Sequence, residues 1–113
     1  MYEDFRIKVF KAVADCHSFT LASRQLGISQ PAVSQNIAEL EKLSGFKFFT
    51  RSKSNIMLTE AGSVFNQLVD KVLMAYENLN NVFKDYASFQ EYLAKFNELK
   101  QDPRFEAVKE LYL

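Results

Sequence analysis

Apolar residues recur at helical spacing along most of this chain, interrupted by two short strand-like runs. Ile7, Phe10 and Val13-Ala14 make one stripe and predict a first helix over residues 4–15. Ser18 is a natural N-cap for a second helix over 19–26, with Leu21 or Ala22 and Leu26 facing inward. Gly27 stands where a left-handed residue ends a helix, because glycine has no Cβ to clash there. A third helix follows, capped by Ser29 or Gln30. Pro31 lies in its first turn, where a missing N–H costs nothing, and Leu43-Ser44-Gly45 closes it. Strands are expected at 47–50 and 56–59, joined by the polar loop Arg51-Ser52-Lys53-Ser54-Asn55. Two helices joined by the turn Gly27-Ile28-Ser29 and followed by a hairpin make a helix-turn-helix with a wing.

Thr59 caps a long fourth helix over 60–86. Its apolar residues step 4-3-4-3 through Ala61, Phe65, Leu68, Val72, Ala75, Leu79, Val82 and Tyr86, a seam suited to a partner helix. Val64, Val69, Leu73, Tyr76 and Phe83 widen that face. Such a helix is about 40 Å long, more than a three-helix core can cover. Ser88-Phe89-Gln90-Glu91 has the spacing of a capping box and starts a fifth helix. Asp102-Pro103 restarts a short sixth one containing Phe105, Val108, Leu111 and Tyr112. These tail helices are expected to fold back on the long helix, or on a partner, and cover its stripe. The fold class is mainly α: a winged helix-turn-helix with a three-helix core and a short β-hairpin, a long dimerisation helix and short C-terminal helices. The segments are 1–62, 59–86 and 87–113.

Net charge is zero, which weakens a nucleic-acid reading until its distribution is considered. Residues 1–62 carry eight Lys/Arg and six Asp/Glu, whereas residues 63–113 carry six and eight. The positive half holds the helix-turn-helix. Cys16 is the only cysteine, so no internal disulfide forms, which fits a reducing cytoplasm. No signal peptide and no membrane span is expected.

On a helical wheel Val33, Ile37 and Leu40 form the inner face of the third helix, and Pro31, Ser34, Gln35, Ala38 and Lys42 project oppositely. Gln30 sits at its N-terminal tip. Recognition helices present such residues to base edges: glutamine suits adenine N6/N7, serine several edges, and proline or alanine a thymine methyl. Base-reading residues are therefore expected at Gln30, Pro31, Ser34, Gln35 and Ala38. Phosphate and wing contacts are expected from Ser18, Thr20, Arg24, Lys42, Arg51, Ser52 and Lys53. His17 sits in a corner between helices and reads as structural or solvent-facing. No Cys/His cluster has metal spacing, no glycine-rich phosphate loop occurs and no nucleophile motif is present. Neither a metal, a cofactor, a small-molecule ligand nor an enzyme activity is expected.

The string Phe10-x-x-Val13-Ala14-x-x-x-Ser18-Phe19-Thr20-x-Ala22 is joined by Leu26-x-Ile28-Ser29-Gln30-Pro31-Ala32-Val33-Ser34-x-x-Ile37-x-x-Leu40-Glu41. Gly45-x-x-x-Phe49-x-Arg51 and Leu58-Thr59-Glu60-Ala61-Gly62 follow. Together they resemble the DNA-binding domain of LysR-type transcriptional regulators over residues 5–62, extending along the linker helix to about residue 86. The resemblance implies a cytoplasmic, nucleoid-associated bacterial regulator. It would bind double-stranded DNA at promoter half-sites as a homodimer through the long helix, open to higher assembly. Gln35 replaces an arginine common in the family, so a different base preference is expected, and the wing is less basic at Ser54-Asn55. Residues 87–113 are too short for the family's ligand-binding domain, so a chain lacking that domain is expected and ligand control is not implied. Pairing residues would be Phe65, Leu68, Val72, Ala75, Leu79, Val82 and Tyr86. The rival expectation is a stand-alone interaction module that pairs with full-length relatives and modulates them.

Overall fold

A computed structural model describes residues 4–52 and 55–108, with the side chain of Val108 excepted. The elements run α1 (Phe5–Cys16), α2 (Phe19–Leu26), α3 (Gln30–Ser44), β1 (Phe49–Arg51), β2 (Ile56–Leu58), α4 (Glu60–Lys84), α5 (Tyr86–Gln101) and α6 (Phe105–Val108). The chain divides into two compact units, one reaching Met74 and one starting at Ala75. No helix of the described residues is long and apolar enough to cross a membrane.

Local chemistry sets the helix ends of the first unit. Asp4 caps α1 by accepting from the Arg6 N–H at 2.9 Å. Hydrogen bonds from the Arg6 side chain and backbone hold its carboxyl below the usual aspartate value. Ser18 Oγ accepts from the Leu21 N–H at 3.1 Å and begins α2. Gly27 ends it at φ 69°, where a side chain would be strained. Ser29, not Gln30, caps α3, accepting from the Ala32 N–H at 3.2 Å. Thr59 caps α4 through the Gly62 N–H at 2.9 Å.

The core collects one face from each element. Val9, Phe10 and Val13 of α1 meet Ala22 of α2 and Val33 and Ile37 of α3, and all are fully buried. Of the two inward alternatives on α2, Ala22 is buried and Leu21 is half exposed. Phe10, Phe48, Phe49 and Phe65 form an aromatic cluster, with the Phe10 and Phe65 rings perpendicular at 4.7 Å. Burying each such side chain stabilises the unit by about 1.5–3 kcal/mol.

The strands are shorter than expected, and the ladder pairs Phe49 with Leu58, Thr50 with Met57 and Arg51 with Ile56. Just before it, the Phe48 N–H donates to the Glu41 carboxylate at 2.7 Å and the Lys47 carbonyl accepts from the Thr59 hydroxyl at 2.6 Å. Side chains thus take bonds that a longer ladder would have used.

Two seam assignments are corrected. Phe65 turns into the core, because Ala61, Phe65, Val69 and Leu73 form an i, i+4 row facing α1 and the strands. Val64, Leu68 and Val72, on the adjoining row of α4, stay exposed, as does Met74. Tyr86 is not part of α4, which stops at Lys84. Asp85 takes an extended conformation and accepts from the Ala87 N–H at 3.0 Å, so Tyr86 opens α5. For the same reason Ser88 is not a cap, and its hydroxyl donates to Asp85 instead.

In the second unit, Phe89 and Tyr92 of α5 and Ala75, Leu79 and Val82 of α4 line a groove of about 440 Å³. α5 shares this groove with α4, but no residue of α5 is buried. Leu79, Phe89 and Tyr92 each stay more than 40% exposed, so the stripe is not sealed within one chain. At 16 residues α5 is longer than the short helix expected. Phe105 of α6 packs edge-on against Phe96 at 5.8 Å. Leu111 and Tyr112 lie outside the described residues.

Candidate nucleic-acid interface

The α2–turn–α3 segment is held from inside, which frees its outer face. Val33 and Ile37 are fully buried and Leu40 nearly so. The opposite side carries Gln30, Pro31, Gln35 and Ala38, all exposed, with Ser34 half-buried between them. Asn36 is turned away, because its side-chain amide donates to the Ala32 carbonyl at 2.8 Å. The exposed N-terminal surface of α3 is thus small, polar and uncharged, the chemistry suited to base edges.

A cleft of about 270 Å³ lies beside this face. Its walls come from His17, Ser18 and Thr20 at the start of α2, Gln30 at the start of α3, and Ser52 and Asn55 of the wing. Among the described residues no carboxylate lines it. The first N–H groups of a helix lack intrahelical partners, so the start of α2 offers backbone donors beside these hydroxyls. The residues expected at Ser18, Thr20, Gln30 and Ser52, from three separate segments, share this one cleft.

Arg24, Lys42 and Arg51 do not themselves line this cleft. Arg51 places its guanidinium 4.9 Å from the Phe19 ring centroid, a cation–π contact that ties the wing to α2. Arg24 is exposed in the last turn of α2. Lys42 is exposed near the end of α3, beside a second cleft of about 260 Å³ shared with Ala38, Phe46 and Lys47. Lys53 lies outside the described residues. Among the described residues no group of His, Cys, Asp and Glu could hold a metal ion.

Along α4, Leu68 and Val72 are exposed in the first unit. In the second, Ala75 and Leu79 are exposed and Val82 is half-buried.

Two residues have places that periodicity did not reveal. His17 takes φ 52°, donates its backbone N–H to the Val13 carbonyl at 2.8 Å and lines the cleft. Its position one residue after α1 and one before the Ser18 cap was the available signal. Glu41 is buried although charged, with its carboxylate on the Phe48 N–H.

The family model for bacterial regulatory helix-turn-helix proteins of the lysR family matches residues 6–63. The chain belongs to the LysR family. Among LysR-type relatives, it is 38% identical over 80 residues to a probable RuBisCO transcriptional regulator of Thalassiosira pseudonana, covering 71% of this chain and 26% of that one. It is 40% identical over 81 residues to the HTH-type transcriptional regulator CysB of Burkholderia cenocepacia, with 71% and 26% covered. The chain spans about a quarter of the length of these curated relatives. The crystal structure of a BenM DBD/benA site 1 DNA complex superposes with a TM-score of 0.70 at 31% identity, covering 77% of this chain and 98% of that one. The winged helix-turn-helix of this LysR family member is therefore shared with a domain solved on DNA.

Proposed function

We propose that this chain is a sequence-specific DNA-binding regulator of transcription that engages promoter half-sites as a homodimer in the bacterial cytoplasm. The carrying observation is the uncharged face of Gln30, Pro31, Ser34, Gln35 and Ala38 set beside a cleft that no carboxylate of the described residues lines. The N-terminal half of α3 enters the major groove, where Gln30 and Gln35 read base edges and Pro31 and Ala38 meet thymine methyls. Ser18, Thr20 and the start of α2 meet a phosphate, while Arg51 and the wing contact the flanking backbone. Leu68, Val72, Ala75, Leu79 and Val82 pair two copies through α4, which sets the spacing of the two α3 helices.

A second reading is favoured by the zero net charge and the open apolar groove. In it the chain pairs with longer relatives and modulates them without stable DNA binding of its own. Selection of bound sequences from a random duplex pool, a salt-titrated shift assay and light scattering separate the two. Recovery of paired half-sites by a dimer whose affinity falls with salt supports the regulator. A homodimer with no salt-dependent DNA binding overturns it in favour of the modulator.

A further inference from the structure

We infer that Glu41 is a positioning residue: through Phe48 and Thr59 it fixes α3 against α4, and so sets which half-site spacing the dimer accepts. The inference rests on the proposed roles of α3 in reading and α4 in pairing.

Glutamate is seldom buried without a partner, because the ionised carboxylate loses its hydration. Glu41 is 7% exposed, yet it sits near the end of the helix that reads DNA. Its Oε2 accepts from the Phe48 N–H at 2.7 Å, and its Oε1 lies 3.7 Å from Lys47 Nζ. The same two residues are held from the other side. The Phe48 carbonyl accepts from the Thr59 N–H at 2.9 Å, and the Lys47 carbonyl accepts from the Thr59 hydroxyl at 2.6 Å. Thr59 Oγ1 also accepts from the Gly62 N–H in the first turn of α4, at 2.9 Å. A Cβ on Gly62 would collide with the Phe48 carbonyl, so α4 runs directly against this strand entry.

The main chain at Lys47 and Phe48 is therefore pinned between one side chain of α3 and the cap of α4. The four hydrogen bonds are each 2.9 Å or shorter, and the Glu41–Phe48 bond is buried, so it is costly to leave unmade. Tilting α3 relative to α4 breaks at least one of them. In a dimer joined through α4, this stiffness passes to the distance between the two reading helices. Aromatic stacking of Phe48 on Phe65 keeps the strand entry packed on α4 when the Glu41 link is cut, while the buried hydrogen bond from Phe48 to α3 is lost.

The test uses the full chain and duplexes carrying the selected half-sites, joined by the selected spacer or by spacers one and two base pairs longer or shorter. The wild type should lose affinity about tenfold per base pair, the size of one forfeited bidentate base contact. Glu41→Ala should lose no more than about threefold per base pair. Glu41→Gln keeps an oxygen to accept the Phe48 N–H and should restore the sharp profile, which a general loss of stability would not. Thr59→Val removes both hydroxyl bonds while keeping the backbone bond to Phe48, and should broaden the profile as well. It decides the matter should Glu41→Ala fail to fold. Profiles parallel to the wild type at uniformly lower affinity overturn the inference. A wild type with no salt-dependent sequence preference overturns the DNA-reading assignment itself, and the inference with it.

Discussion

Phe65 of α4 stacks on Phe48 with ring centroids 4.4 Å apart and planes 12° from parallel. That contact places the first turns of α4 inside the winged domain rather than on a pairing surface, whereas Leu68, one turn on, is 53% exposed. The two residues should therefore separate stability from assembly. Phe65→Ala should cost about 3 kcal/mol of unfolding free energy through the cavity it leaves. Leu68→Ala should cost the isolated chain under about 1 kcal/mol while weakening dimerisation. Urea denaturation with sedimentation analysis measures both, and equal unfolding costs would contradict the division of α4 into two rows.

Gln30 and Gln35 are exposed and serve no cap or core contact in the fold. Gln30→Ala and Gln35→Ala should leave thermal stability within about 0.5 kcal/mol of the wild type. Each should cost about 1–3 kcal/mol at the selected site and relax preference at one base position. A repeat selection with the double variant is the direct measurement. Recovery of the same sequence would remove these two residues from the reading face.

Those residues were legible because cap, turn and wheel are local. Ser18, Gly27, Ser29 and Pro31 act within a few residues of themselves, and Val33, Ile37 and Leu40 define an inner face by spacing alone. The α4 seam was only half legible. A 4-3 repeat shows that a stripe will be covered but not by what, and Phe65 found Phe10 and Phe48 of its own chain. Asp85 shows two capping signals in competition: it precedes the Ser88 box and caps first, so Tyr86 changed helices. Glu41 falls about 80° from Val33 on the wheel, at the edge of the buried face. Its partner, the Phe48 N–H seven residues on, exists only after the chain has turned back.

Arg51 sits over the Phe19 ring, so its charge is held near the start of α2 rather than swinging freely. Arg51→Ala should weaken binding to specific and random duplexes alike and lower the salt slope by about one. Arg51→Lys keeps the charge but loses the planar face over Phe19, so it should restore the slope more fully than the affinity. Shift assays across a salt series resolve the two effects. A loss confined to the selected sequence would make Arg51 a base contact instead.

Lys11 of α1 reaches Asp70 of α4 at 2.8 Å and Asp15 at 3.2 Å, tying the first helix to the long one. The hydrogen bond to Asp70 holds its ammonium above the ordinary lysine value of 10.5, against an opposing cost of burial. Because the folded value is raised, the contribution is complete below the unfolded pKa and is lost as pH rises through the folded one. Lys11→Met should therefore cost on the order of 1 kcal/mol at neutral pH, a size typical of a partly exposed ion pair. That difference should hold steady down through neutral pH and shrink only above about pH 10.5. Taking wild type minus variant cancels the tyrosines that titrate in the same range. Urea denaturation of both chains from pH 7 to pH 12 gives the curve, and a difference unchanged at the alkaline end would mean that packing of the lysine stem, not its charge, joins α1 to α4.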